Sequence, residues 1–381
     1  MSLRSQLSPV FLLLTFSLLS GSLFSTTHAQ ELHNSYQGTW HGEVVEVLEE
    51  ETRIIPGTET EHLYQTIQAE VTDGPKAGEI ITIENDFLEL EPGDKFYFNY
   101  NVYIDGSESY GIVNIDRKGS LWFLLALFVG TVVAFGGWQG VRSLLALAGS
   151  FVIIFYVLMP GILAGWNPLL ASVVVAAGIL FAAIFFTHGF NRESIVAYSG
   201  TMIAVFITSI LAIGAVSLTS LSGFTDESTT YLNLNTDGTL NFTALLLGAI
   251  IIGVLGVLDD IAVTQAAVVT ELFTSNRSLS RREVYHKALR VGREHVSALV
   301  NTLVLAYTGA ALPLLLYFYT AASSVSMAIN SELFATEIVR TIIGSIGLVL
   351  TVPIVTLLAV MYLKDYEPTH TGHSHSHGHH H

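Results

Sequence analysis

The pattern of the chain changes near residue 118. Before it, apolar and polar residues alternate in short runs; after it, apolar residues follow one another in long stretches. Ile67, Ala69 and Val71 alternate with Thr66, Gln68 and Glu70, and Phe96, Phe98, Tyr100 and Val102 alternate with Tyr97, Asn99, Asn101 and Tyr103. A period of two places each apolar set on one face of a strand. Shorter runs of the same kind are Gly42–Leu48, Glu79–Ile83 and Tyr110–Ile115. Between them stand Asp73-Gly74-Pro75 and Glu91-Pro92-Gly93-Asp94, whose residues suit tight turns. Five short strands in about 80 residues predict a small all-β domain, an antiparallel barrel or sandwich of OB-like form.

From 119 to 363 the pattern predicts an all-α polytopic membrane helix bundle. Apolar windows at 121–138, 143–163, 168–187, 195–219, 243–264, 296–319 and 341–363 are each long enough to cross a hydrocarbon core of about 30 Å as a helix. That reading has seven spans. Residues 321–339 fit no span cleanly, and a partly inserted, re-entrant helix there leaves the topology unchanged. Gly130, Gly149, Gly248, Gly253, Gly256, Gly309, Gly344 and Gly347 are the small residues that close packing of membrane helices needs.

Composition sharpens this division. Of 381 residues 51% are hydrophobic and 13% charged, about half the charge of an average soluble domain. Residues 31–116 hold 19 acids and 3 bases (Arg53, Lys76, Lys95), which is the whole net charge of −16. An acidic, water-soluble unit (30–118) joined to a neutral apolar remainder excludes a soluble globular enzyme and a disordered chain. No basic surface exists to bind nucleic acid. With no Cys there is neither a disulfide framework nor thiol chemistry.

Residues 1–29 read as a secretory signal peptide: Arg4, an apolar run from Val10 to Phe24, and small residues up to Ala29. An uncleaved anchor is the alternative. Oriented with its N-terminus inside, it too delivers the acidic unit to the outer face. Lys and Arg positions give the orientation. The segment 275–295 carries Arg277, Arg281, Arg282, Lys287, Arg290 and Arg293 and belongs in the cytoplasm. Seven spans from an extracytoplasmic β domain put it there, together with Arg142, Arg192 and Lys364. The loop 220–241, with Asp226, Glu227 and Asp237, falls outside. Arg117, Lys118 and Arg340 run against the rule. The expectation is a multi-pass cell-membrane protein whose C-terminus is cytoplasmic.

The most unusual stretch is Leu258-Asp259-Asp260-Ile261-Ala262-Val263-Thr264-Gln265. Counted from Thr243, Asp259 lies about 24 Å along a helix, inside the hydrocarbon but near its inner edge. A central Asp costs roughly 2.5–3.5 kcal/mol on insertion, so the pair requires water, a proton or a partner. Asp260, Thr264 and Glu271 share one helical face, and Gly253 and Gly256 permit a bend just before. Two readings stand: a cation or proton site lined by Asp259, Asp260, Thr264 and Gln265, or a helix end ion-paired with the basic segment. Neighbours on a helix point about 100° apart, which disfavours an aspartyl protease. Asn301 and Thr302 of the sixth span either bond a neighbouring helix or complete the site. Glu332, Glu337 and Arg340 precede the seventh span, with Glu337 and Arg340 at the i, i+3 spacing of an ion pair. Pro353 introduces a kink that membrane helices tolerate.

Three further features are less specific. Glu49-Glu50-Glu51 either gathers cations or is a solvated edge or loop, and no spacing matches a calcium loop. Arg192-Glu193-Ser194-Ile195 is echoed by Arg293-Glu294-His295-Val296, with Thr201 and Thr302 at the same offset, as parallel repeats would require. The tail 364–381 contains His370, His373, His375, His377, His379, His380 and His381. Neutral imidazoles in such a tract bind zinc, nickel, copper or cobalt without fixed geometry. An engineered tag is the alternative, and a metal held there need not be the substrate.

Leu258-Asp259-Asp260-Ile261-Ala262-Val263-Thr264-Gln265-Ala266, Ser280-Arg281-Arg282-Glu283, Leu299-Val300-Asn301-Thr302-Leu303 and the run from Glu337 to Gly347 together resemble YibE/F-like membrane proteins. The resemblance covers about residues 35–363. It implies a bacterial multi-pass membrane protein with an extracytoplasmic N-terminal domain, to which the His-rich tail is an addition. It brings no substrate and no catalytic residue. The expected function is transport of a small ion (a cation, or coupled to protons), driven by a gradient or a partner because no Gly-rich nucleotide loop is present. The alternative is a sensor or assembly factor whose β domain binds an envelope protein. No Ser-His-Asp order or zinc-protease helix points to an enzyme.

Overall fold

A computed structural model describes residues 36–54, 61–86, 88–103, 106–320 and 324–363. The expected signal peptide and His-rich tail lie outside the described residues. The chain divides into two compact units near residue 126.

The first unit is one five-stranded antiparallel sheet. β1 (Tyr36–Ile54), β2 (Glu61–Val71), β3 (Ile80–Asn85), β4 (Lys95–Val102) and β5 (Glu108–Ile115) are arranged in the order β3-β2-β1-β4-β5. β1 pairs with β4 through its first half and with β2 through its second. Register shifts between Val44 and Glu46 and between Val47 and Glu49 bend it between those partners. β3 and β5, at the two edges, approach one another, so the sheet curls into a half-barrel. The alternating residues fill it as their period requires: Ile67, Ala69, Val71, Phe96, Phe98 and Tyr100 are buried, with Val44, Ile83 and Leu90. Gly74 takes φ +84° in its turn, and the Trp40 indole covers it so closely that a Cβ has no room.

Alternation alone places only Gly42–Leu48 in the first strand, yet β1 has 19 residues. Its second half contains Glu49, Glu50 and Glu51, paired with Thr66, Gln65 and Tyr64. Acids are scarce in strands, and the two bulges interrupt the period, so pattern reading stops short. The three side chains are exposed and lie in a strand rather than a loop.

The second unit is helical. α1 (Lys118–Ile153) continues through a π-helical stretch (Ile154–Leu158) into α2 (Met159–Leu163); α3 (Pro168–His188), α4 (Arg192–Leu218), α5 (Glu227–Asn235) and α6 (Phe242–Ser275) follow. Then come α7 (Arg281–Ala310), α8 (Leu312–Thr320), α9 (Val325–Ile329) and α10 (Glu332–Tyr362). By length and composition five helices are able to cross a membrane, or six if α7 and α8, bent by 59°, form one span. The first of the five is the 46-residue stretch Lys118–Leu163, about 69 Å if straight and more than twice a hydrocarbon core. It is not straight. At Gly137 the backbone turns to φ +52°, ψ −136°, and a Cβ on Gly140 would sit 2.5 Å from the Val132 carbonyl oxygen. Dividing the stretch there, and also taking α7 and α8 as one span, brings the count from five to the expected seven.

Two boundaries move and so change the site. α6 continues to Ser275, 11 residues past the expected span end. α7 begins at Arg281, where Ser280 and Glu283 form a reciprocal capping box, so most of the basic segment is helix. Within 321–339, the described residues form the short α9 and the first two turns of α10.

The core lies among α3, α4, α6 and α10, with α7 against α6 and α10. Close approach depends on small residues. A Cβ at Gly200 would meet Val355, one at Gly347 would meet Thr208 Oγ1 at 2.5 Å, and Gly344 faces Val254 at 3.0 Å. Gly248 lies directly on Ser172. Gly130, Gly149, Gly256 and Gly309 have nothing within 4 Å of a Cβ, so half of the expected packing glycines face outward or into open space. The echoed tetrapeptides do not occupy equivalent places: Arg192 opens α4, whereas Arg293 is well inside α7.

Candidate functional site

α6 is a 34-residue helix, apolar from Ala244 to Leu258, with polar residues at its centre and again in its last turns. Its extension to Ser275 moves Asp259 and Asp260 from the inner edge of the expected span to the middle of the helix. Gly253 and Gly256 leave this helix unbroken. The aspartates point about 100° apart and meet different surroundings. Asp259 is half-buried, and its Oδ1 is enclosed with no hydrogen-bond partner. Asp260 is exposed. His188, the last residue of α3, and His295 of α7 are close enough to Asp260 to interact with it electrostatically. Thr264, one turn on, is exposed on the Asp260 face, as is Glu271.

Gln265 does not join them. It lies about 140° round the helix from Asp260, is 3% exposed, and its Nε2 donates to the Ala288 carbonyl at 2.9 Å and to Thr356 Oγ1 at 2.7 Å. The Thr356 hydroxyl in turn donates to Val352 O at 2.6 Å. Gly292 completes the contact, since a Cβ there would sit 2.8 Å from Gln265 Oε1. Gln265 therefore ties α6, α7 and α10 together.

Asn301 and Thr302 lie exposed on α7, and the Thr302 hydroxyl donates to its own helix at Ala298 O, 3.0 Å away. Glu337 and Arg340 pair with each other at 2.7 Å, as their spacing predicts. Tyr307, which sequence reading passed over, is within electrostatic range of both. Its hydroxyl lies 3.4 Å from where a Gly253 Cβ would be, so a second polar group spans α6, α7 and α10. Arg340 Nε has no partner in it. Its sequence signal is weak: one tyrosine in an apolar span. Glu332 is a structural clamp. Its Oε1 accepts from Ser222 N and Gly223 N, each at 2.7 Å, and from Ser222 Oγ at 2.7 Å.

The other buried hydroxyls divide into two kinds. Thr201, Ser209, Thr351 and Thr356 donate to the carbonyl one turn back, the usual way for a membrane helix to satisfy them. Ser194, Thr208, Thr336 and Ser345 have enclosed oxygens without a partner. A groove of about 380 Å³ between α4 and α10, lined by Arg192, Ile195, Ser199, Ile203 and Tyr362, contains neither aspartate. Among the described residues no three His, Asp or Glu side chains come together in a way that could hold a metal ion.

The β unit has its own charged cluster. Glu108 receives Lys76 Nζ at 2.7 Å, Tyr110 Oη at 2.5 Å and Tyr100 Oη at 2.8 Å. Lys76 foremost, then the two phenols, hold its carboxyl down to about 2. Burial and the same carboxylate push the Tyr110 phenol up to about 12. The two tyrosine rings stack at 5.4 Å. Every member of this cluster has its partner.

The profile of the YibE/F-like protein family matches residues 124–365, nearly the whole helical unit and none of the β sheet. No curated protein and no solved structure matches the chain.

Proposed function

This chain belongs to the YibE/F-like family, and from that premise we propose that it is a transporter of the cell membrane that moves a small cation, or is coupled to protons, by way of Asp259 and Asp260. One observation carries the reading: a carboxylate oxygen of Asp259 is enclosed in the middle of an apolar helix with no hydrogen-bond partner. An uncompensated carboxylate in such a place costs several kcal/mol. A transient proton or cation supplies the missing partner. Asp260, on the neighbouring open face, offers the next acceptor. Glu337, Arg340 and Tyr307 lie at another level of the same three helices, and Asn301 and Thr302 on the outward face of α7; they belong to the path only in a second rank. In this reading the β unit is extracytoplasmic, the basic N-terminal half of α7 and the C-terminus are cytoplasmic, a gradient drives transport, and the protein is not an enzyme.

The test is flux in proteoliposomes, followed with proton- and cation-sensitive dyes. Wild-type protein dissipates or builds a gradient, and Asp259→Asn and Asp260→Asn each abolish this. Unchanged flux in both variants rejects the assignment.

A second reading has one observation in its favour: the β sheet is a compact unit with its own core, as a recognition module for an envelope protein would be. Crosslinking that captures one defined partner only when residues 36–116 are present supports it. A cellular phenotype indifferent to their deletion removes it.

A further inference from the structure

Lys118 runs against the positive-inside pattern, and the sheet gives it a partner. β5 ends at Ile115, α1 begins at Lys118, and α1 as far as Ala126 belongs to the same compact unit as the sheet. Lys118 Nζ lies 3.2 Å from Nε2 of His41 in β1. The other ring nitrogen, His41 Nδ1, is 2.5 Å from Asp73 Oδ2 in the turn after β2, and the His41 backbone N–H donates to Asp73 Oδ1 at 2.6 Å. One carboxylate thus holds both the backbone and the ring of His41. Tyr97 stands opposite His41 across β1 and β4, its ring 4.2 Å from the imidazole and 4.8 Å from Lys118 Nζ. Asp116 accepts the Lys118 backbone N–H at 2.9 Å.

This arrangement suits one form of the ring. A carboxylate only accepts and an ammonium only donates, so Nδ1 carries the proton, Nε2 is a bare acceptor, and the imidazole is neutral. A second proton, on Nε2, sets an N–H against the Lys118 ammonium, two positive charges 3.2 Å apart. The bond to Asp73 survives that step and gains charge assistance. We infer that His41 is an acid-released latch: neutral, it ties the first turn of α1 to the sheet, and protonated, it lets Lys118 go. The charged and titratable groups at the ring are Asp73 from the turn, Tyr97 from β4 and Lys118 from α1, with Asp116 beside Lys118. Of these residue types histidine alone ordinarily changes charge between about pH 5 and pH 8. The His41 side chain is 29% exposed and that of Asp73 45%, so protons reach the pair from water. Only Asp116 and Arg117 separate β5 from α1, and release therefore acts directly on the joint between sheet and helix. The inference goes beyond the transport reading and does not depend on it, because the latch can be read without any flux.

The chain has no Cys, so a single nitroxide can be attached at Ser120→Cys, an exposed position in the first turn of α1. Full-length labelled protein in nanodiscs is followed by electron paramagnetic resonance at about pH 8 and about pH 5, the limits of histidine's ordinary charge change. With His41 and Lys118 intact, the label is restrained at the higher pH and more mobile at the lower. His41→Gln, a neutral amide that does not titrate, gives one spectrum at both. Lys118→Met gives the mobile spectrum at both, and carries the control alone if His41→Gln does not fold. A spectrum that does not change with pH while His41 and Lys118 are present overturns the inference. So does a change of the same size in either folded variant.

Discussion

The two units differ in how they bury amides and acids, although each also leaves a buried polar atom unpaired, Trp40 Nε1 in the sheet among them. In the β unit Gln65 and Asn85 are 1% and 2% exposed, and every polar atom of the pair is used. Gln65 Nε2 donates to Glu50 Oε2 at 3.0 Å and to Leu90 O at 3.1 Å, while its Oε1 accepts from Leu90 N and Asn85 Nδ2. Asn85 then braces the backbone of Leu88 at both its oxygen and its nitrogen. Such a network specifies structure. In the helical unit Gln265 is satisfied in the same fashion, yet six residues away Asp259 has an enclosed oxygen with nothing to bond. The sheet buries no unsatisfied acid among its described residues. In the proposed transport reading, a membrane bundle that keeps one leaves it for a proton or cation to bind. An unpaired atom alone does not mark a site, since Ser194, Thr208, Thr336 and Ser345 each have one; what sets Asp259 apart is that its unpaired atom belongs to a carboxylate, the costliest group to bury.

The largest effect that would break this comparison is in the sheet. Gln65→Leu strands the Leu90 N–H and the Asn85 amide, and should destabilise the β unit by about 3 kcal/mol. Limited proteolysis of the full chain reads this as cleavage within 36–116 while the helical unit stays resistant. Cleavage no faster than in wild type would show that the network does not hold the sheet. Next, Gln265→Leu removes one tie among α6, α7 and α10. Hydrogen bonds inside membranes average well under 1 kcal/mol with a maximum near 1.7, and the Thr356 hydroxyl keeps its own acceptor. A fall of a few degrees in the detergent melting temperature is expected. A loss as large as that of the sheet variant would contradict the ranking.

The smallest effect is a pH dependence. Glu108 has a folded pKa of about 2, below its ordinary value. It therefore contributes stability that is present above the ordinary carboxylate range and is lost as pH falls from about 4.5 toward 2. The side chain is solvent-accessible, so the slope is shallow and salt-sensitive. Glu108→Gln should flatten it. An identical acid-unfolding curve in the variant would assign the acid response to other carboxylates.

Much of this was legible in the sequence, for identifiable reasons. Alternation located β2 to β5, because a strand buried on one face repeats every two residues. It stopped at Leu48 because the bulges in β1 break that repeat and Glu49–Glu51 oppose the composition of a strand. Hydropathy located the spans but not the helices: it measures affinity for lipid, and α7 begins 15 residues before its apolar part, at a capping box spelled by Ser280 and Glu283. The same blindness ended the helix at 264 and so put Asp259 near its end, when Asp259 sits at mid-helix. The candidate site was legible at Asp259 and Asp260 as charge in an apolar run. Grouping Gln265 with them overlooked helical geometry, since five residues at 100° each turn its side chain away from Asp260. Thr356, Ala288 and Gly292, which hold Gln265, were beyond reach, because no local pattern shows which helices meet.

The central claim is that Asp259 serves transport and not the fold. The direct measurement is Asp259→Asn assayed twice on one preparation, for melting temperature in detergent and for flux in liposomes. The account predicts a melting temperature equal to wild type or higher, because a buried charge without a partner has been removed, together with complete loss of flux. A lowered melting temperature with flux retained would make Asp259 a structural residue and would contradict it.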